Sequence, residues 1–304
     1  MPESIAQPAL AAAQFKKFAL AAAALALVFA VPLWRLFTFS LGDDLHSYIP
    51  LIPFVSGYLA WVRKDKIPAF SPPARGWAGL FLAAGAAAAT AYWLVARRAP
   101  AGTVENSLAL GTLAWLLFLT GAGCWILGGA RMRSLAFPFF LLLFMVPFPT
   151  ALREAMVAAL QQGSATVADW LFTFTGTPFW RQGLLFGLPG ITLEVAPECS
   201  GIHSTLVLLI TSLVAGHLIL RQPWKRWVLC LAVIPLALLR NGFRVFVLGQ
   251  LCLHIGPRMI NSPIHHRGGP IFFVVSLVPF FLLLYILRKG EITGGAQPAP
   301  PIEK

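Results

Sequence analysis

Three short stretches of this chain carry side chains suited to nucleophilic chemistry. Cys199 stands in Pro197-Glu198-Cys199-Ser200-Gly201, at the entrance to an apolar run. A thiol at a helix start feels the positive end of the helix dipole, which favours the thiolate, the nucleophilic form. Arg244 closes Asn241-Gly242-Phe243-Arg244. A guanidinium within an apolar run is costly there and reads as functional. Arg240 lies one turn earlier on the same helical face, so either arginine can be the active one. His265 and His266 precede Arg267-Gly268-Gly269, and His203, four residues after Cys199, competes with them as a proton carrier. A thiolate, an imidazole and a cation able to hold an oxyanion are the parts needed for acyl transfer through a thioester. No paired carboxylates, metal-ligand spacing, phosphate loop or dinucleotide fingerprint competes, so neither metal nor cofactor is expected. The other cysteines (Cys124, Cys230 and Cys252) lie inside apolar runs, where they read as small hydrophobes.

The elements that must position these groups are membrane helices. Of the 304 residues, 58% are hydrophobic and 11% charged, against about 25% charged in a soluble domain. A soluble enzyme, a disordered chain and a nucleic-acid-binding domain are poor fits. Apolar runs near the roughly 20 residues needed to cross a bilayer recur at 18–36, 48–62, 77–96, 108–127, 134–148, 202–220, 227–247 and 269–287. The expected fold is an all-α integral membrane protein with about eight transmembrane helices. Residues 1–289 form one polytopic domain in this reading, and 290–304 a disordered cytoplasmic tail. The first run continues past a signal-peptide-like Val28-Phe29-Ala30, so an uncleaved first helix is expected. Alanines 86–89 offer a surface for close helix packing.

Two stretches do not read as spans. In 151–176, Arg153, Glu154, Gln161, Gln162 and Asp169 interrupt the apolar positions, as in an interfacial amphipathic helix. Residues 182–196 alternate around Pro189-Gly190 and read as a short β-hairpin before Cys199. The net charge of +12, from 23 Lys and Arg against 11 Asp and Glu, sits in short loops. With eight spans, Lys16/Lys17, Arg63/Lys64/Lys66/Arg75, Arg131/Arg133, Arg221/Lys225/Arg226 and Arg288/Lys289 fall on one face, which should be cytoplasmic. Arg97 and Arg98 dissent. Both termini are then cytoplasmic, and the amphipathic helix, the hairpin, Cys199 and the 251–267 segment lie at the outer face. Arg244 falls about 26 Å along its helix, near the outer boundary.

With these residues in place, the chain resembles the exosortase/archaeosortase family. Val195-Ala196-Pro197-Glu198-Cys199-Ser200-Gly201-Ile202, Asn241-Gly242-Phe243-Arg244 and His265-His266-Arg267-Gly268-Gly269 match its three motifs in order and approximate spacing. His46-Ser47-Tyr48-Ile49-Pro50-Leu51-Ile52-Pro53, Tyr58-Leu59-Ala60-Trp61, Phe144-Met145-Val146-Pro147-Phe148-Pro149 and Arg181-Gln182-Gly183 are similar as well. The resemblance runs from about residue 38 to 289. It implies a membrane-embedded cysteine transpeptidase of a prokaryotic cytoplasmic membrane. Such enzymes process proteins with a C-terminal sorting signal: a short motif such as Pro-Glu-Pro, a transmembrane helix and a basic tail. It further implies Cys199 as nucleophile, Arg244 at the oxyanion and His265 handling protons, with His266 or His203 as substitutes. Asn241, Ser200, Gly201 and Arg181 are supporting residues. The released protein is sorted to the cell surface, often alongside exopolysaccharide. The early element departs from the family pattern as His46-Ser47-Tyr48 and receives no role.

The expected partners are such substrates, membrane lipids and an acceptor nucleophile that the sequence does not identify, with no nucleic acid. Three other readings compete, one of them a membrane hydrolase of the same frame, which cleaves but gives the acyl group to water. A transporter would place Arg240, Arg244 and Asp169 along a path through the membrane, and a non-catalytic scaffold of an export system would tolerate loss of Cys199.

Overall fold

The computed structural model describes residues 3–98, 104–256, 258–259 and 269–294. The chain is an all-α integral membrane protein with one small antiparallel sheet. Five helices among the described residues are long and apolar enough to cross a membrane: Arg75–Arg97, Val104–Ile126, Ile202–Ile219, Pro223–His254 and Ile271–Glu291. The number rises to seven if two bent pairs, Ala12–Val28 with Ala30–Gly42 and Ala136–Met145 with Thr150–Phe174, each count as one span. The 48–62 and 134–148 windows, expected as spans, are broken into pieces too short to cross alone.

Proline causes those breaks. Its nitrogen has no hydrogen to give the carbonyl four residues back, and its ring clashes with that carbonyl. Helix α1 (Glu3–Val28) stops four residues before Pro32, which lies in α2 (Ala30–Gly42). The two segments differ in direction by 76°, so the expected 18–36 span turns at Phe29. Helix α3 (Ile52–Val62) has Pro53 in its first turn. Helices α4 (Arg75–Arg98) and α5 (Val104–Ile126) follow. Next, α6 (Gly129–Ser134) stops four residues before Pro138 of α7 (Ala136–Leu142). The long α8 (Thr150–Phe174) precedes strands β1 (Trp180–Gln182), β2 (Leu185–Leu188) and β3 (Ile191–Glu194). After α9 (Ile202–Ile219), α10 (Pro223–Leu231) stops four residues before Pro235 of α11 (Val233–His254). The last helix, α12 (Gly269–Gly294), carries Pro279 without ending there.

The chain divides into two compact units, Met1–Arg153 and Glu154–Lys304. In the first, α4 and α5 form an antiparallel pair. A Cβ on Gly85 would meet Phe118 at 3.3 Å, and one on Gly121 would meet Leu82 at 2.9 Å. Glycines thus set the close approach; of alanines 86–89, expected to pack, Ala88 and Ala89 are half-buried and Ala86 and Ala87 exposed. Arg131 is fully buried. It donates to the carbonyls of Pro68 and Ala69 and to Gln14, which fastens the 68–69 loop to α6. His46 is also fully buried, its Nδ1 against the Asp43 carboxylate.

In the second unit, α9, α10, α11 and α12 share an apolar core of Leu208, Leu220, Leu229, Val233, Phe280, Leu284 and Leu287. At one end of this bundle the Glu291 carboxylate accepts the N–H groups of Arg221 and Gln222, and buried Lys225 donates to the Leu287 carbonyl at 2.9 Å. Helix α8 buries Gln161, Ser164, Ala165, Ala168 and Phe172 along one stripe and exposes Gln162 and Trp170 opposite, so both faces mix polar and apolar side chains. A Cβ on Gly163 would meet Leu238, one on Gly242 would meet Val167, and one on Gly249 would meet Phe172. The numbers rise together, so α8 runs parallel to α11.

The expected hairpin is a three-stranded antiparallel meander, with β1 added outside it. Its register pairs Arg181 with Phe186 and Phe186 with Leu193. Gly183 and Gly190, at φ 63° and 82°, make its turns. Phe186, Leu188 and Leu193 pack on Ala165, Ala168 and Phe172 of α8 and on Leu248 and Cys252 of α11. The sheet is thereby fixed between two helices.

Candidate functional site

The stretch that leads out of the sheet is held before it reaches Cys199. Val195 is buried, its N–H donates to Leu184 O at 3.0 Å, and its carbonyl accepts from Gln161 Nε2 of α8 at 2.7 Å. Ala196 is extended, and Pro197–Ser200 then close one 3-10 turn. Cys199 is the third residue of that turn. Gly201 follows at φ 68°, ψ 20°, and α9 begins at the next residue. This is the left-handed region, which only glycine visits without strain. A Cβ there would lie 2.5 Å from the Asn241 side chain and 2.8 Å from Arg240 Nη2. Conformation and space both require glycine.

Helix α11 grips this turn from the side. Asn241, 3% exposed, donates its Nδ2 to the Ser200 carbonyl. Arg240, 7% exposed, donates its Nη2 to Gly201 O at 3.2 Å and to Thr205 Oγ1 at 3.4 Å. Gly201 O also accepts the Thr205 N–H at 3.0 Å, as α9's first intrahelical bond, together with the hydroxyls of Ser204 and Thr205. The Ser200 and Gly201 carbonyls, one and two residues beyond Cys199, are thus both held by α11. The amides of α9's first turn have no intrahelical acceptor and make this end of the helix electropositive.

Several polar atoms at this turn are buried without a hydrogen-bond partner: Ser200 Oγ, His203 Nδ1 and Arg240 Nη1. A native protein pairs most buried polar atoms, so these unpaired atoms set the turn apart from the packed core around it. The sequence expectations distribute around this arrangement as follows. Asn241, Ser200 and Gly201 are brought together, and His203 stands in the first turn of α9 beside them. Arg240, left open with Arg244, bonds Gly201 at the end of the turn and Thr205 in α9. Arg244 is half-buried, one turn further along α11. Arg181 is held in the meander, donating its Nε to Gly183 O at 2.9 Å and lying over the Phe186 ring. His265 and His266 lie outside the described residues, whose chain resumes at Gly269 as α12.

Sequence reasoning passed over Gln161 and Thr205. Gln161 appeared only as one of the polar residues interrupting an apolar run, and the signal it carried was that of a polar side chain set on the buried stripe. Among the described residues no group of three or more metal-ligating side chains is present.

The description of the transmembrane exosortase family matches residues 40–282, most of the chain, and spans the meander, the Cys199 turn and the Asn241–Arg244 stretch. No curated protein and no solved structure matches the chain.

Proposed function

Because the chain belongs to the transmembrane exosortase family, we propose that it is a cysteine transpeptidase which cleaves the C-terminal sorting signal of membrane-anchored proteins. Family membership carries the general role, a membrane transpeptidase of protein sorting. The observation that carries the finer reading is the clamp of Arg240 and Asn241 on the Ser200 and Gly201 carbonyls. It fixes the backbone next to Cys199 at a helix N-terminus, where a thiolate is favoured.

In this mechanism the Cys199 thiolate attacks the scissile carbonyl and a carbon–sulfur bond forms. The oxyanion is held by Arg244, the C–N bond breaks, and the leaving amine takes a proton from His265. An acceptor nucleophile, or water, then attacks the thioester carbonyl and gives its proton to His265, the carbon–sulfur bond breaks, and the Cys199 thiolate is released. The substrate would carry a short proline-containing motif, a transmembrane helix and a basic tail. Sidedness follows the positive-inside rule. Arg221, Lys225 and Arg226 belong to the end of the second unit opposite the Cys199 turn, which supports an outward-facing site with both termini cytoplasmic.

The test is processing of a reporter carrying the host's own sorting signal. Cys199→Ala, Arg244→Ala and His265→Ala abolish processing, while His266→Ala and His203→Ala retain it. Processing that survives Cys199→Ala removes the nucleophile and leaves the scaffold or transporter reading in its place.

A further inference from the structure

We propose that Arg240 is a positioning residue which sets the reactivity of Cys199, a role separate from that of Arg244; the inference rests on the cysteine transpeptidase reading. Arg240 projects from α11 into the first turn of α9 and is 7% exposed. Nη2 bonds the Gly201 carbonyl at 3.2 Å and the Thr205 hydroxyl at 3.4 Å. Nη1 is buried with no partner. No carboxylate among the described residues pairs with this guanidinium. Arg240 thus sets a buried guanidinium nitrogen without a described partner beside the turn that contains Cys199. A buried cation is costly, and a thiolate at Cys199 is an anion that would offset it.

The same side chain holds the turn. Its bond to the Gly201 carbonyl fixes the residue two positions after Cys199, and its bulk is what a Cβ on Gly201 would strike. Arginine suits both tasks at once, because its planar fork bonds two acceptors from one nitrogen and keeps further donors free. The charged and titratable groups on the elements around the turn are Glu198 in the turn, His203 on α9, Arg240 and Arg244 on α11, and Glu194 on β3; α8 contributes neutral Gln161. Arg240 is bonded to backbone at the end of the turn, through the Gly201 carbonyl.

The experiment measures alkylation of Cys199 by iodoacetamide against pH, in the full-length protein in detergent, read at the Cys199 peptide by mass spectrometry. The wild-type midpoint is expected at least about one unit below the ordinary thiol value near 8.5. Arg240→Gln raises it by about one unit, a roughly tenfold slower reaction at pH 7. Arg240→Lys keeps the charge and shifts it less. A role confined to folding would change the fraction of reactive protein and leave the midpoint in place. Equal midpoints in wild type and Arg240→Gln overturn the proposal, as does a lysine variant shifted as far as the glutamine one. If Arg240→Gln does not fold, a wild-type midpoint at the ordinary thiol value overturns it by itself. Reporter processing separates the two claims. Processing kept in Cys199→Ala refutes the transpeptidase reading, whereas processing lost there with unshifted alkylation in Arg240→Gln refutes only the role of Arg240.

Discussion

A single glycine decides whether Cys199 can be presented. Gly201 has a left-handed backbone, and its missing Cβ leaves room for Asn241 and Arg240. Gly201→Ala is expected to lose about 1–3 kcal/mol of stability from strain alone. It also pushes α11's side chains off the turn, so processing falls further than the melting temperature explains; both are measured on one detergent-solubilised preparation. Arg244 is argued from chemistry. Removing a donor that holds a developing oxyanion slows reaction by about 100-fold or more, so Arg244→Ala should lower turnover to that extent with little change in substrate binding. Arg244→Lys should recover little, because an ammonium cannot reproduce the fork. Normal turnover in Arg244→Lys would contradict an oxyanion role. At this scale much was legible in sequence. Cys199, Asn241 and the two arginines stand out as polar residues in apolar surroundings, yet spacing alone gives Arg240 and Arg244 the same helical face. That Arg240 reaches Gly201 depends on how α9 and α11 meet, which no local pattern encodes.

The elements owe their breaks to proline and their closeness to glycine. Val28, Ser134 and Leu231 each end a helix four residues before a proline. Hydropathy windows see through such breaks, since the residues stay apolar on both sides, and this is why about eight continuous spans were expected. The third strand of the meander escaped the sequence for a related reason: Trp180–Gln182 is too short to display an alternation. The α8–α11 contact gives a graded prediction. A Cβ on Gly242 would lie 2.5 Å from Val167 and 2.9 Å from the Ser164 carbonyl, whereas the nearest atoms to one on Gly163 belong to the Leu238 side chain. Gly242→Ala should therefore cost about 1–3 kcal/mol through backbone displacement. Gly163→Ala should cost less, because Leu238 can change rotamer. Thermal melts of the two variants test the order, and a larger loss in Gly163→Ala would contradict the packing described.

At the scale of the molecule, the second unit has two chemically different ends. One carries Arg221, Lys225 and Arg226 with the Glu291 latch, and the other the meander and the Cys199 turn. Glu291→Gln weakens the latch by under about 1 kcal/mol, given its solvent contact, and should leave processing intact. A loss of processing would mean that the two ends are coupled. Charge and hydropathy made the membrane class legible from sequence. The clamp was not, because it joins residues about 40 positions apart through helix packing. The most direct measurement is the intact mass of purified protein after reaction with a peptide bearing the host's sorting signal, quenched in acid. A thioester predicts a mass increase equal to the acyl fragment, located on Cys199, cleared by hydroxylamine and absent in Cys199→Ala. Cleavage of the peptide with no adduct on Cys199, and equal cleavage by Cys199→Ala, would contradict the account.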